Sequence, residues 1–102
     1  MRTFNISVPD MNDSLSRIVI RGVEYLIRFT YNDTYDFWSF GLYTPSREPI
    51  VQNIMIVPKL PLNFFVGVVG MPEVLFGCKS TLEHIGRNDF KSGFATFYYV
   101  ER

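Results

Sequence analysis

The sequence has few of the residues on which covalent or metal chemistry depends. Its 102 residues include one cysteine, Cys78, and one histidine, His84. A single cysteine excludes an intrachain disulfide, and one cysteine with one histidine cannot supply the paired, closely spaced ligands of a structural zinc site. We therefore predict no metal and no cofactor.

A charge surplus and a long apolar run are also missing. The formal net charge is zero, and no run of basic residues occurs. Proteins that bind nucleic acids usually carry a basic surplus, because neutralising phosphates supplies much of their affinity. The longest uncharged stretch covers only residues 60–72, whereas a membrane-spanning helix needs about 20 apolar residues. With no apolar signal-peptide core near residue 1, we expect a soluble protein made in a cytoplasm, with no nucleic-acid or membrane partner.

No residue pattern typical of a catalytic site is present. Cys78 and His84 could form a thiolate–imidazolium pair, but nothing in the sequence indicates a group that orients the histidine. Free cysteine is also among the residues most often buried. The chain contains no G-x-S-x-G elbow, no phosphate-binding loop and no dinucleotide fingerprint. We predict that it is not an enzyme.

What the sequence does contain is apolar and aromatic residues in alternation. Hydrophobic residues make up 47% of the chain and aromatic residues 17%, which is too apolar for a disordered segment. The segment Glu24–Tyr31 is the clearest example, because every second residue is large and apolar or aromatic. A period of two predicts a β-strand whose side chains alternate between two faces.

Seven or eight short strands are predicted along the chain. Gly22 predicts a tight turn, and Asn32 with Asp33 predicts the turn of a hairpin, because both side chains tolerate left-handed backbone. A capping-box pattern at Ser80 and Glu83 predicts at most one helical turn near residues 80–87. The pattern indicates a single antiparallel all-β domain over residues 1–102, either a β-sandwich or a small β-barrel. The predicted strands are Thr3–Val8, Ser16–Arg21, Glu24–Tyr31, Tyr35–Tyr43, Ile50–Val57, Leu62–Val69, Glu73–Cys78 and Phe94–Val100.

Several predicted strands are apolar on both faces, although a small antiparallel sheet usually exposes one face to water. Apolar surface beyond a few hundred Å² usually marks an interface. We therefore predict self-association, as a homo-oligomer, or assembly with neighbouring proteins. The predicted core or interface anchors are Trp38, Phe40, Tyr43, Phe65, Phe97 and Tyr99.

The aromatic residues between Tyr31 and Tyr43 leave two other functions open. Exposed aromatic rings stack on sugars in carbohydrate-binding modules and on unpaired bases in OB-like proteins that bind single strands. On the predicted strand, however, Trp38 and Phe40 lie on one face and Phe37 lies on the other. They cannot form one flat platform, so packing in the core or in an interface is favoured.

The segment from Ile18 to Trp38 carries a resemblance to known proteins. It consists of an apolar strand, a glycine, a tyrosine, a Tyr-Asn turn and a D-x-W motif, and an acidic turn with a closing aromatic strand follows near the end of the chain. This pattern resembles a family of proteins of about this length from tailed phages and prophages, described as virion structural or of unknown function. The resemblance implies a non-enzymatic tail or baseplate component located in the virion. The residues that carry it are Gly22, Tyr25, Tyr31-Asn32, Asp36, Trp38, Asp89-Phe90 and Phe97–Val100.

Overall fold

Strands make up the regular structure of the residues that the structure describes. The computed structural model describes residues 2–62 and 68–101. No helix within these two ranges is long and apolar enough to cross a membrane. Most of the predicted strand Leu62–Val69, including the predicted anchor Phe65, lies outside the described residues. Within these two ranges there are seven strands, β1 (Arg2–Ile6), β2 (Asp13–Ile20), β3 (Val23–Asn32), β4 (Phe37–Tyr43), β5 (Pro49–Met55), β6 (Val74–Ser80) and β7 (Ala95–Glu101).

The strands form two antiparallel sheets that face each other. One sheet has the strand order β1-β7-β6, and the other has the order β2-β3-β4-β5. The aromatic ring of Phe97 on β7 contacts those of Phe29 on β3 and Phe40 on β4, with ring centroids 5.1 and 4.9 Å apart. Phe40 also meets Phe76 of β6 at 5.3 Å. The predicted all-β antiparallel fold is confirmed, as a sandwich-like pair of sheets rather than a closed barrel.

The alternation in β3 separates the core from the surface. Tyr25, Ile27 and Phe29 are buried, whereas Arg28 is exposed and Leu26 is only half-buried. Alternate residues of a strand point to opposite faces, so one face of β3 packs against the second sheet. On β4 even the outward-facing Ser39 is only 7% exposed, because β4 lies between β3 and β5 inside its sheet.

Two tight connections build the four-stranded sheet, and the predicted pairing of its central hairpin is confirmed. Arg21 and Gly22 link β2 to β3 with φ angles of 52° and 80°, and two left-handed residues in a two-residue loop are typical of a type I′ turn. The side-chain oxygen of Asn32 accepts hydrogen bonds from the amides of Thr34 and Tyr35, each at 3.0 Å. This arrangement bends the chain from β3 into β4.

No helical turn forms over residues 80–87. Ser80 is the last residue of β6, and its hydroxyl accepts a hydrogen bond from the amide of Leu82 and donates one to the carbonyl of Phe94. The hydroxyl therefore bonds two residues ahead rather than three, and the capping-box pattern does not start a helix. A helix-like hydrogen bond occurs later, from the amide of Ser92 to the carbonyl of Asn88, at 2.9 Å.

One side of the sandwich is closed by the chain that follows β5. The amide of Ile56 bonds to the carbonyl of Trp38 in the four-stranded sheet, at 2.8 Å. The carbonyl of Lys59 then accepts from the amide of Cys78, and the amide of Leu62 donates to the carbonyl of Phe76, so that this segment runs along β6 of the other sheet. The opposite side, between β1 and β2, is a groove of about 450 Å³.

Candidate functional site

A cluster around Trp38 joins the end of the four-stranded sheet to the β6–β7 loop (residues 81–94). Trp38 is 1% exposed, and its indole N–H donates a hydrogen bond to the carbonyl of Gly86 at 3.0 Å. Its ring meets the rings of Tyr31 and Phe90 at centroid distances of 5.3 and 5.7 Å. The guanidinium of Arg87 lies over the indole, 5.4 Å from its centroid, which is within the range of a cation–π contact.

Carboxylates hold the β6–β7 loop beside the indole. The carboxylate of Asp36, in the β3–β4 turn, accepts a hydrogen bond from the hydroxyl of Tyr31 and lies 3.0 Å from Nε2 of His84. Within the loop, the carboxylate of Asp89 accepts from the amide of Gly86. The loop is therefore bonded both to the sheet and across its own turn.

A second set of contacts fixes the same loop to the connection between β1 and β2. Arg87 donates to the carboxylate of Asp10 at 2.8 Å and to the side-chain oxygen of Asn12. Lys91 lies 3.2 Å from the other oxygen of Asp10. These cations lower the pKa of Asp10 below its ordinary value, chiefly through the hydrogen bond from Arg87 and then through that from Lys91.

Hydrogen bonds stabilise the charged form of Asp36. The hydrogen bond from Tyr31, followed by that from His84, lowers the pKa of Asp36. The same carboxylate raises the pKa of Tyr31 to about 12. A carboxylate with a lowered pKa and both oxygens engaged is a weak base near neutral pH. The arrangement can hold the loop in place.

Acid should loosen this attachment. Because Asp36 and Asp10 have folded-state pKa values below the ordinary 3.8, their stabilising contribution is complete above pH 3.8 and is lost as the pH falls through the lowered values. We expect the midpoint temperature of unfolding to fall as the pH is lowered from 5 through this range. Calorimetry or circular dichroism measures this shift.

Substitutions at the two carboxylates test the cause of the acid sensitivity. Asp36→Asn and Asp10→Asn should each lower the midpoint temperature at pH 6 and flatten its dependence on pH below 3.8. Asp33→Asn is the matched control, since Asp33 lies in the same exposed turn as Asp36 and bonds to none of the side chains that the structure describes. Equal pH profiles for all three variants and the parent chain would contradict the assignment.

Cys78 and His84, the two residues considered for nucleophilic chemistry, make other contacts in the fold. Cys78 is 3% exposed within β6, and burial raises the pKa of its thiol to about 11. A buried thiol of this kind stays protonated near neutral pH and is unreactive. The imidazole of His84 is bonded to Asp36 in the loop. Over residues 2–62 and 68–101, no three His, Cys, Asp or Glu side chains gather where they could hold a metal ion.

The predicted anchors occupy different positions in the sandwich. Trp38, Phe40, Phe97 and Tyr99 are all at least 95% buried and belong to the core between the sheets. Tyr43 is half-buried on the outer face of the four-stranded sheet, and Phe65 lies outside the described residues. Because Trp38 and Phe40 are covered, their rings are not available to stack on a sugar or a base.

Apolar side chains nevertheless remain on the surface of the four-stranded sheet. Leu15, Val19 and Met55 lie on its outer face and are between 44% and 57% exposed. Tyr35, in the β3–β4 turn, is 76% exposed and lines a groove of about 390 Å³ together with Met55.

Comparison with known protein families identifies the chain. The model of the family described as cyanophage baseplate Pam3 plug gp18 matches residues 1–102. The chain belongs to this family. The predicted resemblance to phage tail and baseplate proteins is thereby confirmed, and membership of the plug family places the chain among the proteins of the phage virion. Among curated proteins, no sequence matches the chain.

Five of the residues that suggested a phage protein meet in one place in this member of the plug family. Tyr31, Asp36, Trp38 and Phe90 all belong to the cluster that holds the β6–β7 loop, and Asp89 closes the turn of that loop. This part of the family pattern therefore corresponds to the contacts that attach the β6–β7 loop to the sheet. Sequence reasoning did not identify Asp10 and Arg87 as members of it, because they lie 77 positions apart and no local pattern connects them.

Proposed function

We propose that the chain is a non-enzymatic structural component of a phage baseplate, with a plug role like the one that its family name describes. The observation that carries this proposal is the match of the plug family to all residues from 1 to 102. The chain would hold its position by contacts with neighbouring baseplate proteins.

The arrangement of side chains supports a structural role in two ways. The carboxylates of Asp36 and Asp10 are engaged in holding loops, and the thiol of Cys78 is buried in the core. The apolar side chains on the outer face of the four-stranded sheet, Leu15, Val19 and Met55, provide surface for neighbours. A rigid aromatic core beneath such a surface is suited to a part that is clamped between other proteins.

Deleting the gene from the phage or prophage that encodes it tests the proposal. We expect mass spectrometry to detect the chain in purified virions of the parent phage. Electron microscopy of the deletion mutant should show tails without an intact baseplate, and expression of the chain in trans should restore them. Infectious particles with normal baseplates from the deletion mutant, or absence of the chain from virions, would refute the proposal.

A complementing variant separates structural from chemical function. Cys78→Ala removes the only thiol in the chain and leaves the outer surface unchanged, because Cys78 is buried. We expect this variant to restore baseplates as the parent chain does. Failure of a folded Cys78→Ala protein to restore them, while still entering virions, would contradict the non-enzymatic role.

A further inference from the structure

The edges of the two sheets are protected to different degrees. On β5 the register with β4 shifts between Phe40 and Leu42, and Asn53 has a φ of 57°, which is a bulge that disrupts the edge for further pairing. The segment Lys59–Leu62 covers part of the edge of β6. By contrast, the edge strands β1 and β2 keep unbroken register with their neighbours, β1 over five residues and β2, the longer edge, over eight. No strand within the described ranges pairs with the other edge of β2.

The hairpin geometry determines which backbone groups of β2 are free. In a two-residue type I′ hairpin the residues that flank the turn, Ile20 and Val23, form a hydrogen-bonded pair, and such pairs alternate along an antiparallel ladder. The hydrogen bond from the amide of Tyr31 to the carbonyl of Asn12, at 2.8 Å, fits the same alternation. The even-numbered residues of β2 therefore bond to β3. The odd-numbered residues, from Asp13 to Val19, direct their N–H and C=O groups away from the sheet.

The side chains of these odd-numbered residues form a symmetric pattern about Leu15. Asp13 and Arg17 lie two positions to either side of it and carry opposite charges. Asp13 is bonded to Arg28 at 2.7 Å, and Arg17 lies 3.2 Å from Glu24, so both charged side chains are extended across the outer face. Leu15 itself is 44% exposed.

We propose that a second copy of the chain pairs with the free edge of β2, antiparallel and centred on Leu15. The two four-stranded sheets then become one sheet of eight strands, related by a twofold axis. Leu15 faces Leu15 of the second copy, and Asp13 faces Arg17 of the second copy. Side chains directly opposite each other on one face of an antiparallel pair are in contact.

The charges favour this register over its neighbours. In the register centred on Leu15, negative and positive side chains alternate across the joined sheet. Glu24 and Arg17 of one copy are followed by Asp13 and Arg28 of the second copy. The adjacent registers, centred on Ser14 or on Ser16, would place each of the Asp13 and Arg17 charges opposite an apolar side chain. Those centred on Asp13 or on Arg17 would place identical charges opposite each other, which is destabilising. The pairing names a partner for the proposed structural component. It rests on the proposed function only in that the paired copies would lie in the baseplate.

Charge reversal on isolated protein tests the pairing. We expect sedimentation equilibrium to show a dimer of the parent chain. Arg17→Asp places aspartate opposite Asp13 of the second copy, and Asp13→Arg places arginine opposite Arg17, so each variant alone should associate about tenfold more weakly. An equimolar mixture of the two variants restores opposite charges at both positions and should form a heterodimer. Circular dichroism verifies that each variant is folded.

Cysteine crosslinking tests the register independently. Leu15→Cys lies at the proposed twofold axis and should give a covalent dimer with a short bifunctional thiol reagent. Val19→Cys is the matched control, because Val19 is exposed on the same strand but lies away from the axis, and it should crosslink much more weakly. The native Cys78 is buried and should not react in the folded parent chain.

The outcomes of these experiments distinguish the pairing of two copies from the baseplate role. A parent chain that stays monomeric at high concentration, a dimer that is insensitive to charge reversal, or equal crosslinking at positions 15 and 19 would refute the pairing. If the isolated chain is monomeric but its β2 edge binds an extended segment of another baseplate protein, the second copy is the wrong occupant. The virion experiments are independent of this result, so the baseplate role can stand or fall separately.

Discussion

Replacing Phe97 by alanine should lower the free energy of unfolding by about 3–5 kcal/mol. Phe97 is fully buried, and its ring meets those of Phe29, Phe40 and Phe76 at centroid distances of 5.1, 4.9 and 5.9 Å. It therefore contacts both sheets, and its loss would leave a cavity where they join. Urea denaturation monitored by circular dichroism measures the difference.

A nearby phenylalanine provides the control for this prediction. Phe94 lies three positions earlier and is 60% exposed, so Phe94→Ala removes the same atoms from a place where they contact mostly water. Its effect should stay within about 0.5 kcal/mol. Domains of this kind have a total stability of about 5–15 kcal/mol, so the Phe97 variant should lose a substantial part of it. Equal stabilities for the two variants would show that the two sheets do not depend on Phe97.

Replacing Trp38 by alanine should also cost about 3–5 kcal/mol, and it should in addition release the β6–β7 loop. The indole supplies the hydrogen bond to Gly86 and the contacts with Phe90 and Arg87 that fix this loop. Hydrogen exchange measured by mass spectrometry should show faster exchange for residues 84–93 than in the parent chain. Because Trp38 is the only tryptophan, unfolding must be monitored by circular dichroism rather than by fluorescence.

The variant Trp38→Phe separates packing from hydrogen bonding. It keeps an aromatic ring in the core but leaves the carbonyl of Gly86 without its donor, and it should cost about 1–3 kcal/mol. Its hydrogen exchange should increase mainly in the loop, with little change in β4. If Trp38→Ala destabilises the protein without faster exchange in the loop, the indole does not fix that loop.

The position of β4 shows where reasoning from the sequence overstated the exposed apolar surface. The strand is apolar on both faces in the sequence, which predicts that either loops or a partner chain cover it. In the fold, Gly41 lies close to the ring of Tyr43 on the same strand, since a Cβ at Gly41 would come within 3.2 Å of it. A long side chain of the same sheet therefore covers part of this face. Among the exposed apolar side chains, Leu15, Val19 and Met55 lie on the outer face of the four-stranded sheet.

The sequence by itself determined the features that depend on neighbouring residues. The period of two in Glu24–Tyr31 predicts the buried face of β3, and the residues at Gly22 and Asn32 predict the connections on either side of it. These features follow from backbone geometry and turn chemistry within a few positions. The family pattern in Ile18–Trp38 is local in the same sense, and it indicated a phage structural protein.

Only the tertiary structure decided which distant residues meet. The bond from Arg87 to Asp10 spans 77 positions, and that from Trp38 to Gly86 spans 48. Such contacts form when the two sheets pack together, and a local pattern of residues does not encode them. The same holds for the free edge of β2, because a strand becomes an edge only when the order of strands in the sheet is set.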